Sequence, residues 1–315
     1  MTHRPHVPVL RDEILGLLAP GPGRRYVDGT FGFGGHAESL LEAGADVLGL
    51  DLDEEAVVAC RRISTDRPRL HCQRRSFRDL AGALTAVGWP PVDGLLLDLG
   101  VSSRQLDEPA KGFSYRADGP LDLRFNQDEG RPAHALLAET DETELARILR
   151  DFGEERGARA LARAIQAAER TEPLRTTAQL AAVVRDALPD GAPLSAILSR
   201  VFQALRIVVN DELGALRDVL AQSLTQVAPG GRVAVVAYHS LEDRLVKQWL
   251  DRERRDCLCP PEVLDCRCGH RARLRPLTRR PVTASALEIR GNPRARSARL
   301  RAAEILPAVP GRSAS

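Results

Sequence analysis

Three acidic side chains and one glycine-rich turn stand out in this 315-residue chain for their types and spacing. Asp28 precedes the turn 29–35, and Asp51 and Asp98 each follow an apolar run of strand length. Glycines allow backbone N–H groups to approach a ligand closely. A carboxylate at the end of a second strand can accept hydrogen bonds from a ribose diol. The pattern therefore predicts a nucleoside-binding site.

The charge beside the turn distinguishes between two kinds of nucleoside ligand. Gly32, Gly34 and Ala37 satisfy the dinucleotide pattern G-x-G-x-x-G/A, so a nicotinamide or flavin dinucleotide is one alternative. Asp28 would repel a pyrophosphate, but it would attract a cofactor that carries an ammonium and a sulfonium. We therefore predict that S-adenosylmethionine is the cofactor.

Alternating strands and helices must position these residues. Hydrophobic patterning predicts strands, with helices between them, at 26–28, 45–50, 70–73, 92–98 and 232–238. A turn at 229–231 is expected before the last strand. In an open α/β sheet, ligands bind beyond the carboxyl ends of the strands, so the three acids should face one crevice. From 134 to about 205 the pattern is almost entirely helical. We predict an α/β, Rossmann-like sheet with an inserted all-helical domain.

Asp98 is the leading candidate for a catalytic or cofactor-positioning group. An exocyclic amine on a base is a weak nucleophile because its lone pair is delocalised into the ring. An acceptor for one N–H, either Asp98 or a nearby hydroxyl, would counter this. The alternative is a carboxylate that caps the next turn. Phe77 could line an adenine slot or pack in the core. His239 could contact the substrate or cap a helix, for which Ser240 and Asp243 also suit a capping box.

The bulk composition, with 43% hydrophobic and 28% charged residues, is ordinary for a globular protein. No apolar stretch approaches the length of a membrane span, and the N-terminus lacks the apolar core of a secretory signal. We therefore predict a cytoplasmic protein without a membrane partner. In that compartment the six cysteines are expected to be free or metal-bound instead of paired in disulfides.

The last third of the chain combines cysteines with a high positive charge. Two C-x-C pairs, separated by six residues, contain Cys257, Cys259, Cys266 and Cys268. Zinc is one interpretation, with His270 as an additional ligand, although C-x-C is tighter than the usual spacing. The other is reduced thiols, and the sequence assigns no metal site. Residues 252–301 contain fourteen arginines, no lysine and five acids, which suits either phosphate recognition or a solvated basic surface.

Several segments together resemble one family over nearly the full length of the chain. They include DGTFGFGGH at 28–36 and LDLGVSSRQLD at 97–107. Shorter matching segments are 6–10, 112–116, 118–122, 152–156, 205–213, 239–244 and 292–297. The chain resembles the MraW family of bacterial 16S rRNA cytosine N4-methyltransferases, also called ribosomal RNA small subunit methyltransferase H.

The resemblance implies contacts with S-adenosylmethionine from Gly34, Gly35, His36, Asp51, Phe77, Asp98 and Gln105. Of these, His36 and Gln105 follow from the resemblance alone. The implied substrate is a cytidine of 16S rRNA in the decoding centre of the small ribosomal subunit, with its base taken out of the stack. Phe113 and Tyr115 are candidates for stacking on that base, with core packing as the alternative.

The expected organisation is a methyltransferase domain interrupted by the helical insert. The first part is 1–110, the insertion for RNA recognition is 111–204, and the second part, with the basic segment, is 205–315. Two alternatives are an NAD-dependent oxidoreductase that uses the glycine turn and a non-catalytic RNA-binding assembly factor with the same fold. The sequence leaves the oligomeric state open, a homodimer included.

Overall fold

The computed structural model describes residues 8–263 and 265–308. The strands are β1 (Arg25–Asp28), β2 (Asp46–Asp51), β3 (Leu70–Arg74), β4 (Val92–Asp98), β5 (Val227–Ala237), β6 (Leu274–Pro276) and β7 (Arg299–Ile305). They form one sheet in the order β3-β2-β1-β4-β5-β7-β6. Strands β1 to β5 run parallel, whereas β7 is antiparallel to both β5 and β6.

The strand order reverses between β1 and β4, which makes their carboxyl ends the topological switch point of the sheet. Open α/β sheets bind ligands in the crevice at such a point. Strand β4 is buried on both faces: Leu95 and Leu97 pack into one hydrophobic core and Leu96 into another. The predicted α/β, Rossmann-like fold is confirmed.

The helices are α1 (Arg11–Leu18), α2 (Gly35–Glu42), α3 (Glu54–Asp66), α4 (Leu80–Val87), α5 (Ser103–Asp107), α6 (Ala133–Glu139), α7 (Glu142–Asp151), α8 (Ala158–Thr171), α9 (Thr177–Asp186), α10 (Leu194–Asn210), α11 (Glu212–Gln226), α12 (Ser240–Glu253) and α13 (Ala286–Gly291). None of these helices in the described part of the chain is both long enough and apolar enough to cross a membrane.

The chain divides into two compact units. The sheet unit contains the chain up to Gly100 and from Ala215 onward, and the helical unit contains Val101–Gly214. The sequence placed these boundaries after 110 and 204. Within the helical unit, Asp141 caps α7 by accepting a hydrogen bond from the N–H of Glu144 at 2.8 Å.

The segment around β5 and the end of the chain differ from the prediction. The expected turn at 229–231 lies inside β5, where Val92 pairs with Val227 and Gly94 with Arg232, so five steps along β5 match two along β4. The sequence pattern did not predict β6, α13 or β7. Strand β7 begins among arginines, whose charge suggested a solvated surface, although five of its seven residues are buried.

Two of the six cysteines form a disulfide, so the expectation that all of them are free or metal-bound was wrong. Cys60 on α3 and Cys72 on β3 are bonded, with 5.9 Å between their Cα atoms. Helix α3 leads into β3 and packs beside it, which brings the two side chains within the range that a disulfide spans. The other four cysteines are free.

Candidate active site

The three predicted acids are the last residues of their strands. Asp28 ends β1, Asp51 ends β2 and Asp98 ends β4, so their side chains lie at the carboxyl edge of the sheet. Strands β1 and β4 are neighbours, which places Asp28 and Asp98 on the two sides of the switch point. The sequence-based expectation of one shared crevice agrees with this arrangement.

The glycine-rich turn between β1 and α2 allows close packing at this edge. Gly34 is the N-cap of α2 and has a φ of 85°, and a Cβ there would lie 2.9 Å from the ring of Phe31. A Cβ on Gly29 would lie 2.6 Å from the side chain of Leu97 and 3.0 Å from the Cβ of Phe77. Residues with side chains would therefore force the turn away from the strand ends.

Asp51, on the neighbouring strand, holds the turn by a hydrogen bond. Its Oδ2 accepts a hydrogen bond from the N–H of Gly32 at 2.8 Å, and its Oδ1 accepts one from the N–H of Asp53 at 2.9 Å. Burial raises the pKa of Asp51 to about 6, against the opposing effect of these N–H donors. Each carboxylate oxygen has a second lone pair, so Asp51 can hold the turn and still accept from a ribose hydroxyl.

Among the described residues, one carboxylate oxygen of Asp28 has no hydrogen-bond donor. The side chain is 1% exposed, and its Oδ1 accepts a hydrogen bond from the N–H of Thr30 at 3.2 Å. Its Oδ2 is buried without a hydrogen-bond partner among the described residues. Burial raises the pKa of Asp28 to about 6, against the attraction of His36. A buried acceptor of this kind is costly without a donor, so it fits a cationic ligand.

Asp98 is held in place by two hydroxyl groups. Its N–H donates to the Oγ1 of Thr30 at 2.6 Å, and its Oδ1 accepts a hydrogen bond from the hydroxyl of Tyr238 at 2.8 Å. Burial, followed by the charge of Asp98, raises the pKa of Tyr238, so the phenol remains a donor. This arrangement leaves Oδ2 of Asp98 on the side of His36.

His36, in the first turn of α2, lies beside Asp98 and interacts electrostatically with Asp28. Its Nε2 lies 3.5 Å from Oδ2 of Asp98 and has no hydrogen-bond partner among the described residues. Burial lowers the pKa of His36, but Asp98 and Asp28 outweigh this effect and the net pKa is raised. An imidazole was expected here only from the family resemblance.

Phe77 follows β3 and begins a short 3₁₀ helix. Its side chain is half-buried and packs against the sheet core that contains Val27 and Leu97. Both alternatives that the sequence left open are compatible with this position, because the side chain packs against the core and is only partly buried. Its role at the adenine remains a prediction.

His239 acts as a helix cap, and the predicted capping box at Ser240 was wrong. The N–H of Glu242 donates to Nδ1 of His239 at 3.4 Å, and the Glu242 carboxylate accepts hydrogen bonds from the N–H groups of His239 and Tyr238 at 3.2 and 2.8 Å. The N-cap of α12 is therefore His239, one residue before Ser240. Asp243 instead pairs with Arg301, whose Nε lies 2.7 Å from its Oδ1.

The remaining predicted residues belong to the helical unit. Gln105 closes a capping box on α5, where its Oε1 accepts a hydrogen bond from the N–H of Ser102 at 2.9 Å. Phe113 is 5% exposed and stacks on Phe125 in the core, so the core-packing alternative describes it. Tyr115 is half-buried, with its hydroxyl 2.9 Å from Oγ of Ser199, and its contact with RNA remains a prediction.

Thr30 and Tyr238 are parts of the site that were not predicted from the sequence. Both hold Asp98, and both have a recognisable position: Thr30 lies two residues after the end of β1, and Tyr238 follows the last residue of β5. Strand β5 is the neighbour of β4. The polar residues that follow β5 were expected at this edge from the sequence, but the contact of Tyr238 with Asp98 was not.

The chain is similar to known proteins along almost its whole length. The family model of the MraW methylase family matches residues 3–306. A protein from Thermomicrobium roseum is 50% identical over 303 residues, which cover 95% of this chain and 93% of that protein. One from Anaeromyxobacter sp. strain K is 51% identical over 304 residues, covering 96% and 98%. Both are named ribosomal RNA small subunit methyltransferase H.

The chain belongs to the MraW methylase family. It is an S-adenosylmethionine-dependent methyltransferase, so the predicted cofactor is confirmed and the dinucleotide alternative was wrong. The site geometry fits this cofactor, because the orphaned Oδ2 of Asp28 suits an ammonium group and Asp51 suits a ribose.

Proposed function

We propose that this MraW-family chain transfers a methyl group from S-adenosylmethionine to the exocyclic N4 amine of a cytidine in the decoding centre of 16S rRNA, within the small ribosomal subunit. One observation carries the proposal. In a chain about half identical to ribosomal RNA methyltransferases, a carboxylate that a tyrosine holds in place stands at the switch point of the sheet. Ribosome assembly is a cytoplasmic process, so we propose the same compartment for the enzyme.

The state of Asp98 supports an amine as the acceptor of the methyl group. When bound, the cofactor supplies an electrophilic methyl group on a sulfonium. An aromatic amine needs help to attack it, because its lone pair is shared with the ring. A carboxylate that accepts one N–H draws the nitrogen towards a tetrahedral geometry and receives the proton that the amine must lose. Tyr238 fixes the rotation of Asp98 through Oδ1, which leaves Oδ2, on the side of His36, to take this role.

The charge of His36 supports the same reaction. Against the effect of burial, Asp98 and Asp28 raise the pKa of His36, and a protonated imidazole there limits the repulsion between the two carboxylates. The carboxylate of Asp28 can then face the ammonium of the cofactor while the carboxylate of Asp98 faces the amine. His36 is thus a positioning residue, and Asp98 is the catalytic residue.

The arginine-rich segment 252–301 supports an RNA substrate. Twelve of its fourteen arginines are exposed, Arg294 is half-buried and Arg301 is buried in an ion pair. In the described part of the chain no carboxylate pairs with Arg279, Arg280, Arg290 or Arg296. Unpaired guanidinium groups on a surface are suited to bind phosphates.

The test uses small ribosomal subunits isolated from cells that lack the modification. The subunits are incubated with the protein and labelled S-adenosylmethionine, and the RNA is digested to nucleosides for mass spectrometry. We expect the label in N4-methylcytidine at no more than one methyl group per subunit, and none with subunits that already carry the modification. Label on a base carbon or a ribose would contradict the proposal.

The assembly-factor alternative has a different outcome in the same experiment. A non-catalytic factor would bind the unmodified subunits but leave them without label. Binding of S-adenosylmethionine is then measured separately by calorimetry. This measurement distinguishes an inactive protein that still binds the cofactor from one whose cofactor site is damaged.

A further inference from the structure

The segment 254–273, which we call the tetracysteine loop, has no hydrophobic core among its described residues. It connects α12 to β6 and contains no helix or strand among its described residues. None of these residues is buried. A loop of this length without secondary structure is uncommon and usually has a function or is disordered. Something other than a hydrophobic core must therefore hold the loop in one conformation.

The four sulfur atoms of the loop converge on one point. Sγ of Cys257 lies 3.2 Å from Sγ of Cys266 and 3.7 Å from Sγ of Cys268, and the latter two are 3.6 Å apart. All four sulfurs, including that of Cys259, lie within 4.8 Å of one another. A zinc ion with four Zn–S bonds of about 2.3 Å separates its ligands by about 3.8 Å, so the cluster has nearly the size of a tetrathiolate site.

Backbone groups also point at the sulfurs. The N–H of Leu258 lies 3.3 Å from Sγ of Cys268, and the N–H of Cys259 lies 3.3 Å from Sγ of Cys257. Hydrogen bonds from N–H groups stabilise sulfur that carries negative charge, as a thiolate on a metal does. The two C-x-C pairs thus present both the ligands and the groups that support them.

The ends of the loop are fixed independently of the cysteines. The N–H of Arg273 donates to the carbonyl oxygen of Glu253 at 2.8 Å, and Nε of Arg273 donates to the Glu253 carboxylate at 2.7 Å. His270 is near this closure, where Nε2 lies 3.2 Å from the carbonyl oxygen of Arg252, and it is not part of the sulfur cluster. The sulfur set is therefore complete without the histidine.

We propose that Cys257, Cys259, Cys266 and Cys268 bind one Zn²⁺ ion as a structural tetrathiolate site. Four protein ligands leave no open position for a substrate, so the ion has a structural role and no part in methyl transfer. Zinc suits this site better than iron, because the methyl-transfer reaction involves no electron transfer. The ion fixes an arginine-bearing loop that otherwise has no core, and it does so independently of the proposed RNA substrate.

Metal analysis of the purified full-length chain tests the proposal. We expect one zinc ion per chain, and we expect Cys266→Ser and Cys268→Ser to retain less than about a tenth of it. The His270→Ala variant and a variant with both Cys60→Ser and Cys72→Ser are the controls, and each should retain the full amount. Zinc retained by the Cys266 and Cys268 variants, iron in place of zinc, or no metal in the freshly purified chain would each overturn the proposal.

Limited proteolysis provides a second measurement that does not depend on the activity. Trypsin cleaves after arginine, and the loop contains Arg254, Arg255, Arg267, Arg271 and Arg273. We expect a chelator to accelerate cleavage in the loop at least about tenfold in the wild type, and to have no effect in Cys266→Ser, which should be cleaved rapidly from the start. Equal cleavage of the wild type with and without chelator, or a disulfide between loop cysteines in mass spectra, would overturn the proposal.

Discussion

The carboxyl edge of the sheet and the tetracysteine loop hold their reactive groups in opposite ways. At the edge, Asp28, Asp51 and Asp98 end parallel strands, and the buried sheet fixes their positions before any ligand binds. In the loop, none of the described residues is buried, and the four cysteine side chains converge on one point. The first region is organised by the fold, whereas we propose that a bound metal ion organises the second.

This contrast gives the two regions different responses to mutation and to ligand removal. A change at the edge should alter binding or catalysis with the fold intact, because the sheet core is independent of the acids. A change in the loop should alter local stability with the catalytic site intact. Substitutions at single residues of the edge test the first half of this comparison.

Replacing Asp98 should have the largest effect. We expect Asp98→Asn to lower the single-turnover rate of methyl transfer by about 10²–10⁴-fold, because the amide cannot accept the proton of the amine. Tyr238→Phe should lower the rate less, since it loosens the carboxylate but leaves it in place. The rate is measured with saturating cofactor and RNA, so that weaker binding does not contribute.

Asp93→Asn is the matched control, because it lies on the same strand at the opposite end. Its Oδ2 accepts a hydrogen bond from the N–H of Arg25 at 2.8 Å, far from the carboxyl edge. We expect its transfer rate to stay within about twofold of the wild type. An equal loss in both variants would mean that β4 responds as a whole and that Asp98 has no special role.

Asp28 should control the affinity for the cofactor and its pH dependence. We expect Asp28→Asn to weaken binding about a hundredfold at pH 7.5, from the loss of a charged hydrogen bond worth about 3 kcal/mol. In the wild type, the affinity should rise about tenfold from pH 5 to pH 7, because the pKa of Asp28 is raised to about 6 and the cationic ligand needs the ionised form. Calorimetry over this range measures both effects.

The stability of the free protein should change in the opposite direction with pH. Asp28 and Asp51 both have a pKa raised to about 6 in the folded chain, so the folded state binds more protons than the unfolded state between their ordinary pKa and 6. Their contribution to the free energy of unfolding is thus present at low pH and is lost as the pH rises through 6. Asp28→Asn should reduce this slope, and an unchanged slope would show that the carboxylate is already satisfied.

The sequence predicted the edge well because its signals are local. Asp28, Asp51 and Asp98 each follow an apolar run, and the rule that parallel strands end at one edge then brings them together. The partners of Asp98 were harder to find, since Tyr238 is distant in the sequence and its hydroxyl reaches the acid only through the pairing of β4 with β5.

Other errors came from patterns that several structures share. Ser240 with Asp243 and His239 with Glu242 both suit a helix start, and only the packing of α12 decides between them. Phe113 has the character of either a stacking residue or a core residue. The Cys60–Cys72 disulfide joins two adjacent elements with no motif in the sequence, and the expected cellular compartment argued against it.

Asp51→Ala should have a smaller effect than Asp28→Asn. We expect the cofactor to bind about tenfold more weakly, because the ribose loses its acceptor at a cost of about 1–2 kcal/mol. Part of the loss would come from the turn, since Asp51 also accepts from the N–H of Gly32. Binding of adenosine alone separates the two, because it tests the ribose contact without the charged end of the cofactor. An unchanged dissociation constant for both ligands would contradict the placement of the ribose at β2.

Substitution of the exposed arginines should have the smallest effect, because many such residues share the binding of RNA. We expect the double variant Arg279→Ala, Arg280→Ala to bind the RNA of the small subunit a few-fold more weakly. The slope of log affinity against log salt concentration should fall by about 2, because each removed guanidinium leaves one phosphate without its partner. Arg62→Ala, an exposed arginine on α3 outside the basic segment, is the control and should leave the slope unchanged. An equal change in the control would mean that net charge alone attracts the RNA. If only the double variant binds RNA more weakly and its transfer rate at saturating RNA is unchanged, then these arginines bind RNA and the carboxyl edge of the sheet carries out the reaction.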